Sequence, residues 1–150
     1  MHMSRGSMLL AVAALAVMAC GGERPPAGDP ASGDVVSAGV VHDVNMVFDG
    51  TNYLFVPADL SIKAGDIVRF HNRSGGPHNV AFWEDSIPEG GAQVLQDAMP
   101  NQMEPLAGEM VVTPDATYEI SFAGAPTGVY RYYCLPHLQL GMVATVTVES

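Results

Sequence analysis

The sequence predicts an all-β chain folded as an antiparallel β-sandwich of seven to eight strands, with at most one short helix. Three observations predict it. Seven or eight short runs rich in β-branched and aromatic residues fall within about 110 residues, from Val40 onward. Proline and glycine punctuate the gaps between them. No stretch carries the sustained 3.6-residue period of a long amphipathic helix.

The elements follow in order. "VVHDVNMVF" (residues 40–48) and "YLFVPADLSI" (53–62) are extended runs. "KAGD" (63–66) is a turn, and "DIVRFHN" (66–72) alternates apolar with polar residues as a half-buried strand does. "HNVAFW" (78–83) is a further short strand. From 84 to 109 the pattern loosens into "EDSIPEGGAQVLQDAMPNQMEPLAGE", with room for one short helix near 93–99. Strands resume at "EMVVT" (109–113), "TYEISF" (117–122), "VYRYYC" (129–134) and "MVATVTVE" (142–149). No internal repeat and no second folded domain are visible.

Ahead of this body the composition changes twice. Residues 1–19 pair a basic Arg5 with an unbroken apolar run from Met8 to Met18. That run is too short to span a bilayer as a helix but suits a secretory signal. It ends "VMACGG", which resembles the lipobox of bacterial lipoproteins, although Met18 stands where a small residue is usual. Cys20 is then the lipid-modified first residue of the mature chain. Residues 20–39 are dominated by Pro, Gly, Ala and Ser and read as a flexible tether. Its end-to-end distance would be about 25 Å. The folded domain is residues 40–150, and the expected location is the periplasmic or cell-surface side of a bacterial membrane. Six Lys and Arg face 16 Asp and Glu, for a net charge of −10. Removing the signal leaves five bases against 16 acids, or −11. Such a surface repels nucleic acid and favours partners with a basic docking face.

The chemistry concentrates in "YRYYCLPHLQLGM" (residues 130–142), where Cys134, His137 and Met142 fall on one loop between two strands. A soft thiolate, an imidazole and a weak thioether are the mixed donors of an electron-transfer copper site, which needs a second histidine. Of the five histidines, His2 leaves with the signal. His78, in "GGPHNV", enters a strand just after a tight turn and is best placed to project beside the loop.

These residues resemble the blue copper proteins (cupredoxins), and the plastocyanins in particular. "YCLPHLQLGM" has the Cys-x-x-His-x-x-x-x-Met spacing, and "GGPHNVAFWEDSIP" and "YLFVPADLSIKAGDIVRFHN" are similar to the first-histidine segment and the early strands. The likeness covers about residues 40–150. It implies a Greek-key, cupredoxin-like sandwich binding one copper ion through His78, Cys134, His137 and Met142 and cycling between Cu(I) and Cu(II). It implies that Asn79 ties the two ligand loops together, and that Tyr133 lies on an alternative electron path. Pro136 lacks an N–H and so withholds one hydrogen bond from the cysteine sulfur, a means of setting the potential. Leu135, Leu138 and Leu140 would form an apolar docking rim around the His137 ring edge. The implied protein is a monomeric electron carrier and not an enzyme. It would serve redox partner proteins, namely a quinol-oxidising cytochrome complex and a reaction centre or oxidase. The sequence departs from the plastocyanins at Trp83, which reads either as core or as a docking aromatic.

Other readings were weighed on the same residues. Copper oxidases and nitrite reductases need further centres built from His-x-His pairs, and none occurs here. A haem carrier needs Cys-x-x-Cys-His, also absent from the sequence. The alternative is an extracytoplasmic copper chaperone or store, whose site would be exposed and methionine-rich. Met99, Met103 and Met110 are irregularly spaced and read as ordinary packing. His71 reads as a strand residue facing solvent or a polar partner, and His42 as a surface residue. Glu84, Asp85 and Glu89 read either as a solvated face or as a steering patch.

Overall fold

Alternation along the sequence becomes alternation of burial. Every second residue of "IVRFHN" is buried, and so is every second residue through the middle of "VATVTVE", as a strand with one face on a core requires. The computed structural model describes residues 39–150. The signal, Cys20 and the tether up to residue 38 lie outside the described residues.

Within them the order is β1 (Val41–Phe48), β2 (Tyr53–Val56), β3 (Asp59–Lys63), β4 (Ile67–Asn72) and β5 (Ala81–Phe82). A 3₁₀ turn (Glu84–Ser86) and α1 (Gly91–Ala98) follow, then β6 (Thr117–Ser121), β7 (Gly128–Tyr133), a second 3₁₀ segment (Leu135–Leu140) and β8 (Val143–Glu149). Two four-stranded sheets result, ordered β2-β1-β4-β6 and β3-β8-β7-β5. Their inner faces meet in one core, where Phe55, Phe70 and Tyr132 pack edge to face with centroids 4.7–6.2 Å apart. Each such ring contributes about 1.5–3 kcal/mol by leaving water.

Four of the six strand pairings are antiparallel, while β1–β4 and β3–β8 are parallel. The run 53–62 explains why. Pro57 has no N–H to give a ladder, so the run breaks there and its two halves enter different sheets. The chain turns back only at residues 63–66, which brings β4 alongside β1 in the same direction.

Two expected strands are shorter than the sequence suggests. Of 78–83 only Ala81–Phe82 forms a strand, and 109–113 yields an isolated bridge between Val111 and His78. The Asn72 side chain donates to the carbonyls of Val111 (2.9 Å) and Thr113 (3.1 Å), so apart from the bridge to His78 this stretch is held by a side chain and a turn and not by a strand partner. Helix α1 starts two residues ahead of expectation. Its Gly91 lies against Tyr130, where any Cβ would come within 2.8 Å of the hydroxyl oxygen.

Asp66 anchors the start of the domain. Its carboxylate accepts the Val40 and Lys63 N–H groups, each at 2.9 Å, and meets His42 Nε2 at 2.9 Å. His42 is therefore a partnered, partly buried residue and not a plain surface one. His71 contacts Asp43 at 2.7 Å, the polar partner expected of it. Beside it, Arg69–Glu119 and Arg73–Asp115 pair on the solvated face, where ion pairs contribute little.

Candidate metal centre

Three of the four predicted ligands converge. The β7–β8 loop carries Cys134 and His137, and the chain just before β5 carries His78. Cys134 Sγ lies 3.6 Å from His78 Nδ1 and 3.3 Å from His137 Nδ1, and the two Nδ1 atoms are 3.2 Å apart. All three side chains are buried. A point equidistant from the three atoms lies about 2.0 Å from each, close to ordinary metal–imidazole and metal–thiolate bonds of about 2.0–2.3 Å. The residues fit a metal ion. Met142 is fully buried and joined to both loop residues through its backbone. Its carbonyl accepts the Cys134 N–H (3.1 Å), and its N–H donates to the His137 carbonyl (3.2 Å).

The two imidazoles are held in the form a metal requires. His78 Nε2 sits 2.9 Å from the Ser74 carbonyl, an acceptor, so Nε2 carries the proton and Nδ1 presents a lone pair. Burial pushes the His78 pKa down, against the pull of that carbonyl, and burial followed by the nearby His78 lowers His137. Both rings are therefore neutral near pH 7. Burial pushes the Cys134 thiol up, partly offset by the backbone N–H groups of Asn79 and His137, and a bound cation would favour the thiolate. The ring of Tyr53, on β2, lies over His137 with centroids 3.8 Å apart and planes 12° from parallel.

Asn79 bridges the loops. Its Oδ1 accepts the Leu135 N–H at 2.8 Å and its Nδ2 donates to the Gly108 carbonyl at 3.2 Å. Pro136 sits in the 3₁₀ segment and is exposed, as are Leu135 (40 %) and Leu140 (60 %), whereas Leu138 is half-buried. Trp83 is neither core nor free. It lies half-buried on the outer face of its sheet, 4.5 Å from the Tyr133 ring, with the Arg131 guanidinium 5.2 Å from its own ring centre. Glu84, Asp85 and Glu89 are exposed nearby in sequence. Met99 packs in the core, but Met103 is exposed. Sequence reasoning missed Ser74 and Tyr53. Ser74 acts through a backbone carbonyl, which any residue supplies, and no local pattern connects Tyr53 with His137.

A β-sandwich that holds two imidazoles and one thiol around a single point at one end is a mononuclear site for a soft or borderline metal. The chain belongs to the plastocyanin/azurin family of copper binding proteins, whose pattern matches residues 42–149. It is 39% identical over 95 residues to the chloroplastic plastocyanin of Silene latifolia subsp. alba, covering 63% of this chain and 52% of that one. It is 38% identical over 101 residues to the plastocyanin of Solanum crispum, covering 67% and 93%. The chain thus spans about half the length of some relatives and nearly all of others. A mutant fern plastocyanin solved in oxidised and reduced forms superposes with a TM-score of 0.58 at 25% identity, over 72% of this chain and 100% of that one. Donor set and family together make the metal one copper ion.

Proposed function

We propose that the protein is a blue copper electron carrier in which His78, Cys134, His137 and Met142 hold the ion. The observation that carries this reading is the preformed triangle of two Nδ1 atoms and one Sγ, with sides of 3.2–3.6 Å. When bound, the copper supplies a one-electron Cu(I)/Cu(II) couple. The chain's task is to keep its ligands still, so that little rearranges as an electron arrives or leaves. The Ser74 carbonyl fixes the His78 tautomer, Asn79 locks one loop to the other, and burial keeps water from the thiolate. No covalent bond is made or broken, so the role is not enzymatic.

Electrons would pass by the His137 edge, where exposed Leu135, Pro136 and Leu140 offer a small apolar rim suited to brief docking. Tyr133, next to Cys134 in the chain and against Trp83, would give a second route. The partners we propose are a quinol-oxidising cytochrome complex as donor and a reaction centre or oxidase as acceptor. The signal-like start, the tether and Cys20 support an exported chain anchored by lipid outside the cytoplasm.

The test is addition of Cu(II) to the purified chain, followed by visible and paramagnetic-resonance spectroscopy. An intense blue band with narrow copper hyperfine splitting, at one copper per chain and bleached by mild reductant, is expected. It should vanish in Cys134→Ser. Pale, readily exchanged copper would overturn the carrier reading in favour of copper trafficking or storage.

A further inference from the structure

Both imidazoles of the centre are held by one small piece of the fold. The Ser74 carbonyl takes the His78 Nε2–H, as described. The Ser74 hydroxyl oxygen also accepts the Phe48 N–H at 2.9 Å and donates to the Phe48 carbonyl at 3.2 Å, binding the turn to the end of β1. The Phe48 ring lies 4.7 Å from that of Tyr53, and Tyr53 lies flat on His137. Gly75 makes the arrangement feasible. A Cβ there would come within 2.4 Å of Phe48 Cβ and 3.0 Å of Tyr53 Cε1, and its φ of +76° suits glycine. A chain of contacts thus runs from His78 through Ser74, Phe48 and Tyr53 to His137, separate from the bridge through Asn79.

The Tyr53 contact is also more than packing. At 3.8 Å and 12° the phenol presents its face, the negative side of its quadrupole, to the whole imidazole. An imidazole bonded to Cu(II) carries more positive charge than one bonded to Cu(I), so the attraction is stronger in the oxidised state. A purely steric contact would be indifferent to oxidation state.

We propose that Tyr53 is a positioning residue of the metal centre, whose stack on His137 fixes that ring and lowers the reduction potential by favouring the oxidised form. The proposal rests on the copper-carrier reading of the site. It is tested on the full chain as wild type, Tyr53→Phe and Tyr53→Leu, with one measurement that needs no metal. In the metal-free wild type and Tyr53→Phe, the carbon-bound ring protons of His137 should resonate upfield through the ring current of residue 53. Tyr53→Leu should lose that shift. With copper bound, the Cu(II):Cu(I) ratio at a fixed solution potential should fall about three- to tenfold in Tyr53→Leu and stay within about twofold of wild type in Tyr53→Phe. Tyr53→Ile, a β-branched residue suited to strand β2 and without a ring, should move the ratio in the same direction, and it serves if Tyr53→Leu does not fold. A wild type lacking the upfield shift overturns the proposal, as does a blue Tyr53→Leu protein with the wild-type ratio or a higher one. A wild type that binds copper without the blue band overturns the carrier reading and this inference with it, so the two failures are distinct.

Discussion

Replacing Asn79 with alanine separates what the loop bridge does for the fold from what it does for the metal. The side chain is buried and makes two hydrogen bonds, to the Leu135 N–H and to the Gly108 carbonyl. Truncation leaves both backbone groups without partners. The Gly108 residue is buried, so its carbonyl should cost about 1–2 kcal/mol, and the Leu135 amide, nearer solvent, about 1 kcal/mol. The metal-free protein should therefore lose about 2–3 kcal/mol. Copper adds a second loss, because Asn79 follows His78 and Leu135 follows Cys134, so the bridge sets the spacing of two ligands. Residues that orient ligands typically change metal affinity about 10–100-fold, or about 1.4–2.7 kcal/mol. The copper-loaded variant should accordingly lose about 3–6 kcal/mol relative to loaded wild type. Urea unfolding of both forms, with and without copper, gives all four numbers, and the difference between the two losses is the change in copper binding. Equal losses with and without copper would show that the amide only packs. A metal-free loss below about 1 kcal/mol would refute the hydrogen-bond account itself.

The remaining predictions concern the fold. The Tyr132 hydroxyl is buried with no hydrogen-bond partner among the described protein groups, so Tyr132→Phe should stabilise the protein by about 1 kcal/mol. A lower melting temperature for Tyr132→Phe than for wild type would count against that reading. Asp66 is held below the usual carboxylate range chiefly by the Lys63 N–H, with burial opposing and the His42 contact assisting. Because the folded pKa is the depressed one, its stabilisation is complete above the unfolded value of about 4 and fades as pH falls through the folded value. Asp66→Asn should thus be less stable than wild type at pH 7, with the gap narrowing below about pH 4. Thermal melts across that range would refute the reasoning if the gap stayed constant or widened on acidification.

Legibility in the sequence followed distance along the chain. Cys134, His137 and Met142 share one loop, so their mixed donor chemistry stood out before any fold was known, and the turn before His78 marked the second histidine. Asn79 came through resemblance only as a residue that ties the two ligand loops by hydrogen bonding, with no partner named, and its Oδ1 accepts the Leu135 N–H. Strand period marked β4 and β8 as half-buried strands, but period carries no information about which sheet a strand joins. Hence the break at Pro57 and the parallel β1–β4 pairing were invisible, and so was the loss of 109–113 to the Asn72 side chain. His42 looked partnerless for the same reason, since Asp66 reaches it only once β1 and β4 lie together.

Tyr53 shows where such reading ends in physical terms. Its alternation in β2 says only that it faces the opposite side from Leu54. What it touches is decided by β2 forming the edge of one sheet while His137 is delivered by the β7–β8 loop of the other. Three of the predicted ligands are grouped by short-range sequence, but His78 joins them only through the fold, and the rigidity of the set is supplied by contacts that exist only after both sheets have closed. Ligand identity can therefore be read largely from local sequence, whereas what holds the ligands still resides in cross-sheet neighbours such as Tyr53 and Ser74.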